Sequence, residues 1–229
     1  MKILYTFAHV MGLFFPEGKI KNGGSCEFAT NKCLKKCCAH KPGDGQKIKF
    51  EKKEKIFQFF IENPIDQIFD QIVLELRNSN CEIFSWFASG DCPSKLTTKL
   101  FEIIQKLDEV KIIQSGFTRN KKLWKLCKKL SSNCKVLLTI EDPNDIDEDG
   151  LYAFPNYKIG AFDIYCVKNQ QQYITSGCGG GYYQDHMKKI KKEDSHLEMN
   201  CKKCYENRTG CFNDLIILKL KREKILASK

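Results

Sequence analysis

The sequence predicts an α/β fold, a partial (β/α) barrel of parallel strands that carries a small cysteine-rich metal subdomain near its C-terminal end. Through the centre of the chain, short β-branched or aromatic runs alternate with amphipathic stretches of helical period, a pattern typical of βαβ units. The units recur roughly every 25 residues, which favours a barrel over a solenoid of fixed repeat. After Val167, glycine, tyrosine, charged residues and cysteines dominate instead.

The individual elements follow from the spacing of apolar residues. Strands are predicted at Lys2 to Phe7, Glu82 to Ala88, Val110 to Ser115, Lys135 to Ile140 and Phe162 to Val167. Helices are predicted at Ile56 to Ile61, Ile65 to Leu76, Leu96 to Leu107 after an N-cap at Ser94, and Asn120 to Leu130. We expect a barrel domain over 1–170, the cysteine-rich subdomain over 171–215, and a basic tail over 216–229.

Thirteen cysteines in 229 residues exceed what a chain of this length needs for folding. The sequence has no pattern typical of an export signal or a membrane span, so we expect a cytoplasmic protein in a reducing setting. Cysteine groups there indicate metal or redox sites rather than disulfides. The net charge of +10 leaves nucleic acid open as a partner, although lysines spread among Ile and Asn are equally typical of an AT-rich genome.

The first cysteine group comprises Cys26, Cys33 and Cys37. Cys26 follows a glycine-containing loop, and Cys33 and Cys37 are predicted to lie one turn apart on one face of a helix that begins near Asn31. Three such thiolates can hold three irons of a four-iron cluster and leave the fourth iron open to a substrate. A zinc knuckle is the alternative. The neighbouring Cys38 is predicted to pack rather than to bind.

The second group has the spacing Cys-x2-Cys-x6-Cys, with a further cysteine upstream. A complete set of four thiolates closes a metal site, so it is predicted to be structural or electron-carrying, with either a second iron-sulfur cluster or zinc. Its members are Cys178, Cys201, Cys204 and Cys211.

Small and polar residues follow the predicted parallel strands, at the edge where such sheets bind ligands. We predict catalytic roles for Asp91, Arg119 and Glu141, because Asp91 can accept from a ribose or an amine and Arg119 can pair with a carboxylate. The predicted cofactor-binding residues are Ser89, Gly90, Asp91, Ser115, Thr118 and Thr139.

In these features the chain resembles the phage and prokaryotic "gene product eighty-eight" family, whose members look like compact, distant relatives of radical S-adenosylmethionine enzymes. The resemblance lies in the Cys-x6-Cys-x3-Cys segment, Gly90-Asp91, Thr118-Arg119, Glu141-Asp142 and the late cysteine array, and so spans most of the chain. Three features depart from it: Cys38 stands where the family tends to have tyrosine, and both the Cys-x3-Cys-x2-Cys spacing and the glycine-glycine-glutamate segment of radical enzymes are missing.

The resemblance implies a four-iron cluster that cleaves S-adenosylmethionine, an oxidoreductase-like radical chemistry, and a reductant such as ferredoxin or flavodoxin. Two other functions remain open. The chain can be a metal-stabilised nucleic-acid-binding protein, or an electron-transfer protein with two clusters. The sequence identifies neither the substrate nor the oligomeric state.

Overall fold

The structure, a computed structural model, describes residues 1–7, 10–37, 48–79, 81, 83–156, 161–168 and 171–178. The chain divides into two compact units, Met1–Leu138 and Thr139–Lys229. Helices and strands alternate in the first unit, which confirms the α/β class. None of the described helices has the length and hydrophobicity needed to cross a bilayer. The predicted domain boundaries at residues 170 and 215 stay predictions.

The first unit is built on strands that neighbour one another in sequence order. β1 and β2 form an antiparallel pair, whereas β2, β3, β4 and β5 run parallel. Every residue of β2 is buried, as expected of a parallel strand. The strands are β1 Leu4–Phe7, β2 Val10–Phe14, β3 Ile83–Ser89, β4 Ile113–Thr118 and β5 Cys134–Thr139.

The helices lie between the parallel strands in the chain, and α2 to α5 each bury one apolar side. Pro64 precedes α3 and separates it from α2, because proline fits the start of a helix and not its interior. Helix α3 packs beside α4, and α4 packs beside α5. The helices are α1 Asn31–Lys35, α2 Phe50–Glu62, α3 Ile65–Asn78, α4 Thr97–Glu109 and α5 Lys121–Cys127.

The second unit contains an antiparallel meander of three strands: β6 Gly150–Asn156, β7 Ala161–Lys168 and β8 Gln171–Cys178. The prediction of a parallel strand at Phe162 to Val167 is therefore wrong in direction. Only residues 169 and 170 separate β7 from β8, and a parallel crossover needs a dozen or more residues.

Other predictions also need correction. The N-cap predicted at Ser94 is wrong, because Ser94 lies inside a 3-10 turn, Ser94–Leu96, and no side chain caps α4. The strand predicted at Val110 to Ser115 begins at Ile113, because Val110 ends α4 and Lys111 turns the chain with a φ of 64°. Strand β2 was not predicted from the sequence, although residues 10–15 form a mostly apolar run that ends before Pro16, a pattern typical of a buried strand. Helix α1 also ends earlier than expected, at Lys35, so that it does not include Cys37.

Candidate metal centre

The loop after β2 closes on itself at a narrow neck that holds Cys26. Pro16 O accepts hydrogen bonds from both the backbone N and the Oγ of Ser25, at 2.8 and 2.9 Å. Cys26 N donates to Gly18 O at 2.8 Å. Gly24 permits this crossing, because a Cβ there would lie 2.1 Å from Gly18 O. The backbone of residues 16–18 therefore fixes the position of residues 24–26.

The neck is attached to the carboxyl end of β3. Ser25 Oγ accepts a hydrogen bond from Asp91 N at 3.0 Å, and Ser89 Oγ donates to Phe15 O at 2.8 Å. Gly90 lies between these contacts with a φ of +73°, and a Cβ there would meet Ser25 Oγ at 2.5 Å. The predicted ligand residues Ser89 and Gly90 thus hold the cysteine loop against the strand.

The Asp91 carboxylate joins the ends of two parallel strands. Its Oδ1 accepts from Cys92 N at 2.7 Å and from Thr118 Oγ1 at 2.6 Å, and its Oδ2 accepts from Arg119 N at 2.9 Å. Asp91 is only 5% exposed. Three of about four lone-pair positions are therefore occupied by the chain itself, which makes Asp91 and Thr118 structural partners.

Asn120 extends this buried network to two helices. Its Nδ2 donates to Thr97 Oγ1 at 2.7 Å and to Cys92 O at 3.1 Å. Its Oδ1 accepts from Leu123 N at 3.0 Å and so caps α5. The beginnings of α4 and α5 are consequently tied to the segment that follows β3.

Burial shifts the pKa values of two acidic groups in this network. Burial raises the pKa of Asp91 to about 6, although hydrogen bonds from Thr118, Arg119 and Cys92 and the Arg119 charge partly oppose the shift. Burial also raises the pKa of Cys26 to about 12, followed in importance by the negative charge of Asp91. Cys26 is therefore a neutral thiol near pH 7 in the absence of a cation.

Cys33 and Cys37 lie on a short segment beyond Cys26. Thr30 Oγ1 caps α1 by accepting from Cys33 N at 3.0 Å. The prediction that both cysteines share one helical face is wrong, because α1 ends at Lys35 and Cys37 follows the C-cap. Helix α1 buries none of its residues, so no packing of an apolar side favours its extension beyond Lys35.

The three cysteines are nevertheless near one another. All three are reduced, half-buried thiols, and the charges of Cys33 and Cys37 both contribute to the raised pKa of Cys26. Within the described ranges, no group of three or more His, Cys, Asp or Glu side chains is arranged to hold a single metal ion. A four-iron cluster binds each thiolate through a different iron, and so separates its ligands more widely than one ion does.

Contacts from Glu27 position the segment between these cysteines. Its carboxylate accepts from Ser94 N at 2.6 Å and from Ser94 Oγ at 2.8 Å, at the turn that precedes α4. Sequence reasoning missed Ser25 and Glu27 as positioning residues and found Asn120 only as a helix start. The one local signal was the Asn120 N-cap; Asp91 lies 66 positions from Ser25, and Ser94 lies 67 positions from Glu27.

The remaining predicted site residues lie elsewhere. Ser115 is a buried residue in the interior of β4 rather than beyond its end. In the second unit, Thr139 is buried at the end of β5, Glu141 is half-buried, and Cys178 is the last residue of β8. Cys38, Cys201, Cys204 and Cys211, with the tail 216–229, lie outside the described residues.

Comparison with known proteins finds no matching family model, no similar curated protein and no similar solved structure. The resemblance to the gene product eighty-eight family stays a prediction, carried by the order of the motifs.

Gly90→Ala should destabilise the fold more than Gly18→Ala. Both glycines have positive φ, so both substitutions cost about 1–2 kcal/mol of backbone strain. Only at Gly90 does the new Cβ overlap other atoms, whereas at Gly18 nothing lies within 4 Å, and overpacking adds about 1–3 kcal/mol. Urea unfolding of the metal-free variants measures the difference. Equal losses of stability would show that Gly90 does not seat the loop against β3.

The metal-free chain should lose stability as pH rises from about 4 to about 6. The unfolded Asp91 carboxyl ionises near its ordinary pKa of 3.8, whereas the folded one keeps its proton until about pH 6. Unfolding therefore releases a proton in this window, and the free energy of unfolding falls by about 3 kcal/mol across it.

Asp91→Asn is the control for this pH dependence, since an amide does not titrate. The difference in unfolding free energy between wild type and variant, measured by urea denaturation from pH 4 to pH 7, should change in the direction stated. A difference that is constant with pH would contradict the assignment of the shift to Asp91.

Proposed function

We propose that this chain is a cytoplasmic iron-sulfur enzyme of the radical S-adenosylmethionine type, with Cys26, Cys33 and Cys37 as ligands of a four-iron cluster that keeps one iron open. The observation that carries the proposal is the position of Cys26. The hydrogen-bonded neck holds it beside the carboxyl end of a parallel strand, within electrostatic reach of two further thiols. Ligands of parallel sheets bind at this edge.

The chemistry of Cys26 suits a metal ligand better than a catalytic nucleophile. A thiol with a pKa of about 12 is protonated at neutral pH, so Cys26 is a poor nucleophile by itself. A bound cation reverses this balance and ionises the thiol outright. Thiolates are also the usual protein ligands of iron-sulfur clusters.

When bound, such a cluster supplies one electron for the cleavage of S-adenosylmethionine to a radical. The residues of the chain would hold the cluster and orient the cosubstrate. Asp91, Ser25 and Gly90 fix the loop of Cys26, so we now assign to Asp91 a positioning role rather than a contact with the cosubstrate. Arg119, half-buried beside Asp91, remains the candidate for pairing with the methionine carboxylate.

The order of the strands supports the barrel part of the proposal. Parallel strands β2 to β5 are neighbours in sequence order, and successive helices α3, α4 and α5 pack side by side. A (β/α) barrel has this arrangement. For the C-terminal region we propose the second metal site on Cys178, Cys201, Cys204 and Cys211, with an iron-sulfur cluster or zinc.

One observation favours nucleic acid binding as the second candidate function. The solvent side of α5 and the residues after it carries lysines without any acidic residue between them, and such a surface attracts phosphates. These exposed residues are Lys121, Lys122, Lys125, Lys128 and Lys129. Cleavage of S-adenosylmethionine by the reduced, iron-loaded chain separates the enzyme from this candidate and from a simple electron carrier.

Replacement of Cys26, Cys33 or Cys37 by serine should remove one cluster, about four irons per chain, together with its share of the absorbance near 400 nm. Cys81→Ser is the matched control, because Cys81 is also a half-buried thiol, and its contact with Ile83 O is one that a hydroxyl can replace. Iron analysis after anaerobic reconstitution measures the loss. Equal iron in all four variants would exclude the three cysteines as ligands.

A further inference from the structure

The loop that holds Cys26 exposes two large apolar side chains. Phe28 is 39% exposed and Ile20 is 41% exposed. Lys19 Nζ donates to the carbonyl oxygens of Glu27 and Ala29, which flank Phe28 in the chain. The stretches that carry Ile20 and Phe28 therefore lie side by side, and they form an apolar surface next to the thiols.

Exposed lysines lie in the same stretch of the chain, residues 20–37. They are Lys21, Lys32, Lys35 and Lys36. Of the two carboxylates in the same stretch, Glu17 is neutralised by a buried ion pair with Lys53, whereas Glu27 accepts from the neutral Ser94 and keeps its charge. The four lysines still leave this stretch with net positive charge. Glu54 Oε1 also approaches the loop, 3.3 Å from the position of a Cβ on Gly23. An apolar centre with a charged rim is the usual composition of a protein–protein interface.

We propose that this surface, formed by Ile20, Phe28 and the four lysines, docks an acidic electron-carrier protein. The inference rests on the proposed function, in which each cleavage consumes one electron that the chain does not generate. The reduced carrier loses one electron and the iron-sulfur site gains it. Because Cys33 lies between Lys32 and Lys35, and Cys37 follows Lys36, a partner seated on these lysines comes close to the thiols.

The composition of the surface favours a protein over nucleic acid. Residues 10–37 contain no arginine, the side chain that most often pairs bidentately with phosphate and guanine. Ile20 cannot stack on a base, whereas an aliphatic side chain packs readily at the centre of a protein interface. Positive charge on the rim also accelerates encounter with an acidic carrier.

The test uses two pairs of variants of the full chain and a flavodoxin of strongly negative charge as the probe. Lys35→Glu with Lys36→Glu is matched by Lys122→Glu with Lys129→Glu, which makes the same charge change on exposed residues of α5 and the segment after it. Phe28→Ala is matched by Leu74→Ala, an exposed apolar residue of α3. Calorimetry at low ionic strength measures the binding of oxidised flavodoxin. Cleavage of S-adenosylmethionine is measured separately with flavodoxin and with dithionite as the reductant.

The Kd for flavodoxin should rise about tenfold in Lys35→Glu with Lys36→Glu and severalfold in Phe28→Ala, and it should stay unchanged in both controls. The flavodoxin-driven rate should fall in parallel, while the dithionite-driven rate and the iron content remain those of the wild type. Phe28→Ala alone decides the test if the double substitution lowers the iron content, because Phe28 is neither a ligand nor adjacent to Cys33 or Cys37.

Unchanged flavodoxin binding in these variants, with intact dithionite-driven cleavage, would overturn the docking surface and leave the proposed function standing. If the same variants lose binding to single-stranded DNA while their binding of flavodoxin is unchanged, the surface binds nucleic acid and the docking proposal is overturned. If the iron-loaded wild type fails to cleave S-adenosylmethionine even with dithionite, the proposed function itself fails.

Discussion

The buried residue Asp91 joins the cysteine-bearing loop, through its backbone N, to the parallel strands of the first unit, through its carboxylate. Its oxygens accept from the segments after β3 and β4, while its backbone N donates to Ser25 in the neck of the loop. Without these bonds the loop would touch β3 mainly through Phe15 and Ser89. Burying a carboxylate is costly, and its raised pKa shows that the hydrogen bonds offset only part of that cost.

This arrangement holds a half-buried, neutral thiol at the end of a parallel strand. The pKa of Cys26 is raised by burial and by the adjacent Asp91, so the metal-free site favours the protonated thiol. An iron of the cluster would bind the sulfur as a thiolate and so offset the cost of ionising the half-buried thiol. Three thiolates outweigh the charge of the iron-sulfur core, so the nearby Asp91 carboxylate would keep its own charge. The lysines in the same stretch are exposed, and we propose that they bind a partner rather than the metal.

The sequence predicted the parts of the fold that depend on local periodicity and missed those that depend on distant contacts. The apolar stripe of α4 and the start of α5 at Asn120 were predicted because both depend on residues a few positions apart. The cap predicted at Ser94 is not formed. The direction of β7 depends on its neighbours, and the end of α1 depends on the absence of buried residues in it. Ser89 and Thr118 were predicted to bind a cofactor, but their hydroxyl groups bond to distant residues of the chain itself. The sequence around a serine or threonine at a strand end does not indicate whether its hydroxyl contacts a ligand or a neighbouring loop. Here Ser89 donates to Phe15 O and Thr118 donates to Asp91.

Mössbauer spectroscopy of iron in the full chain, with Cys201 and Cys204 replaced by serine so that only the N-terminal cysteines bind a cluster, tests the central claim most directly. The spectrum is compared with and without S-adenosylmethionine. The account predicts that one iron in about four changes its signal when the cosubstrate is added, because three irons are held by thiolates and one is open. Four irons that all stay unchanged, or a site that holds only a single ion, would contradict it.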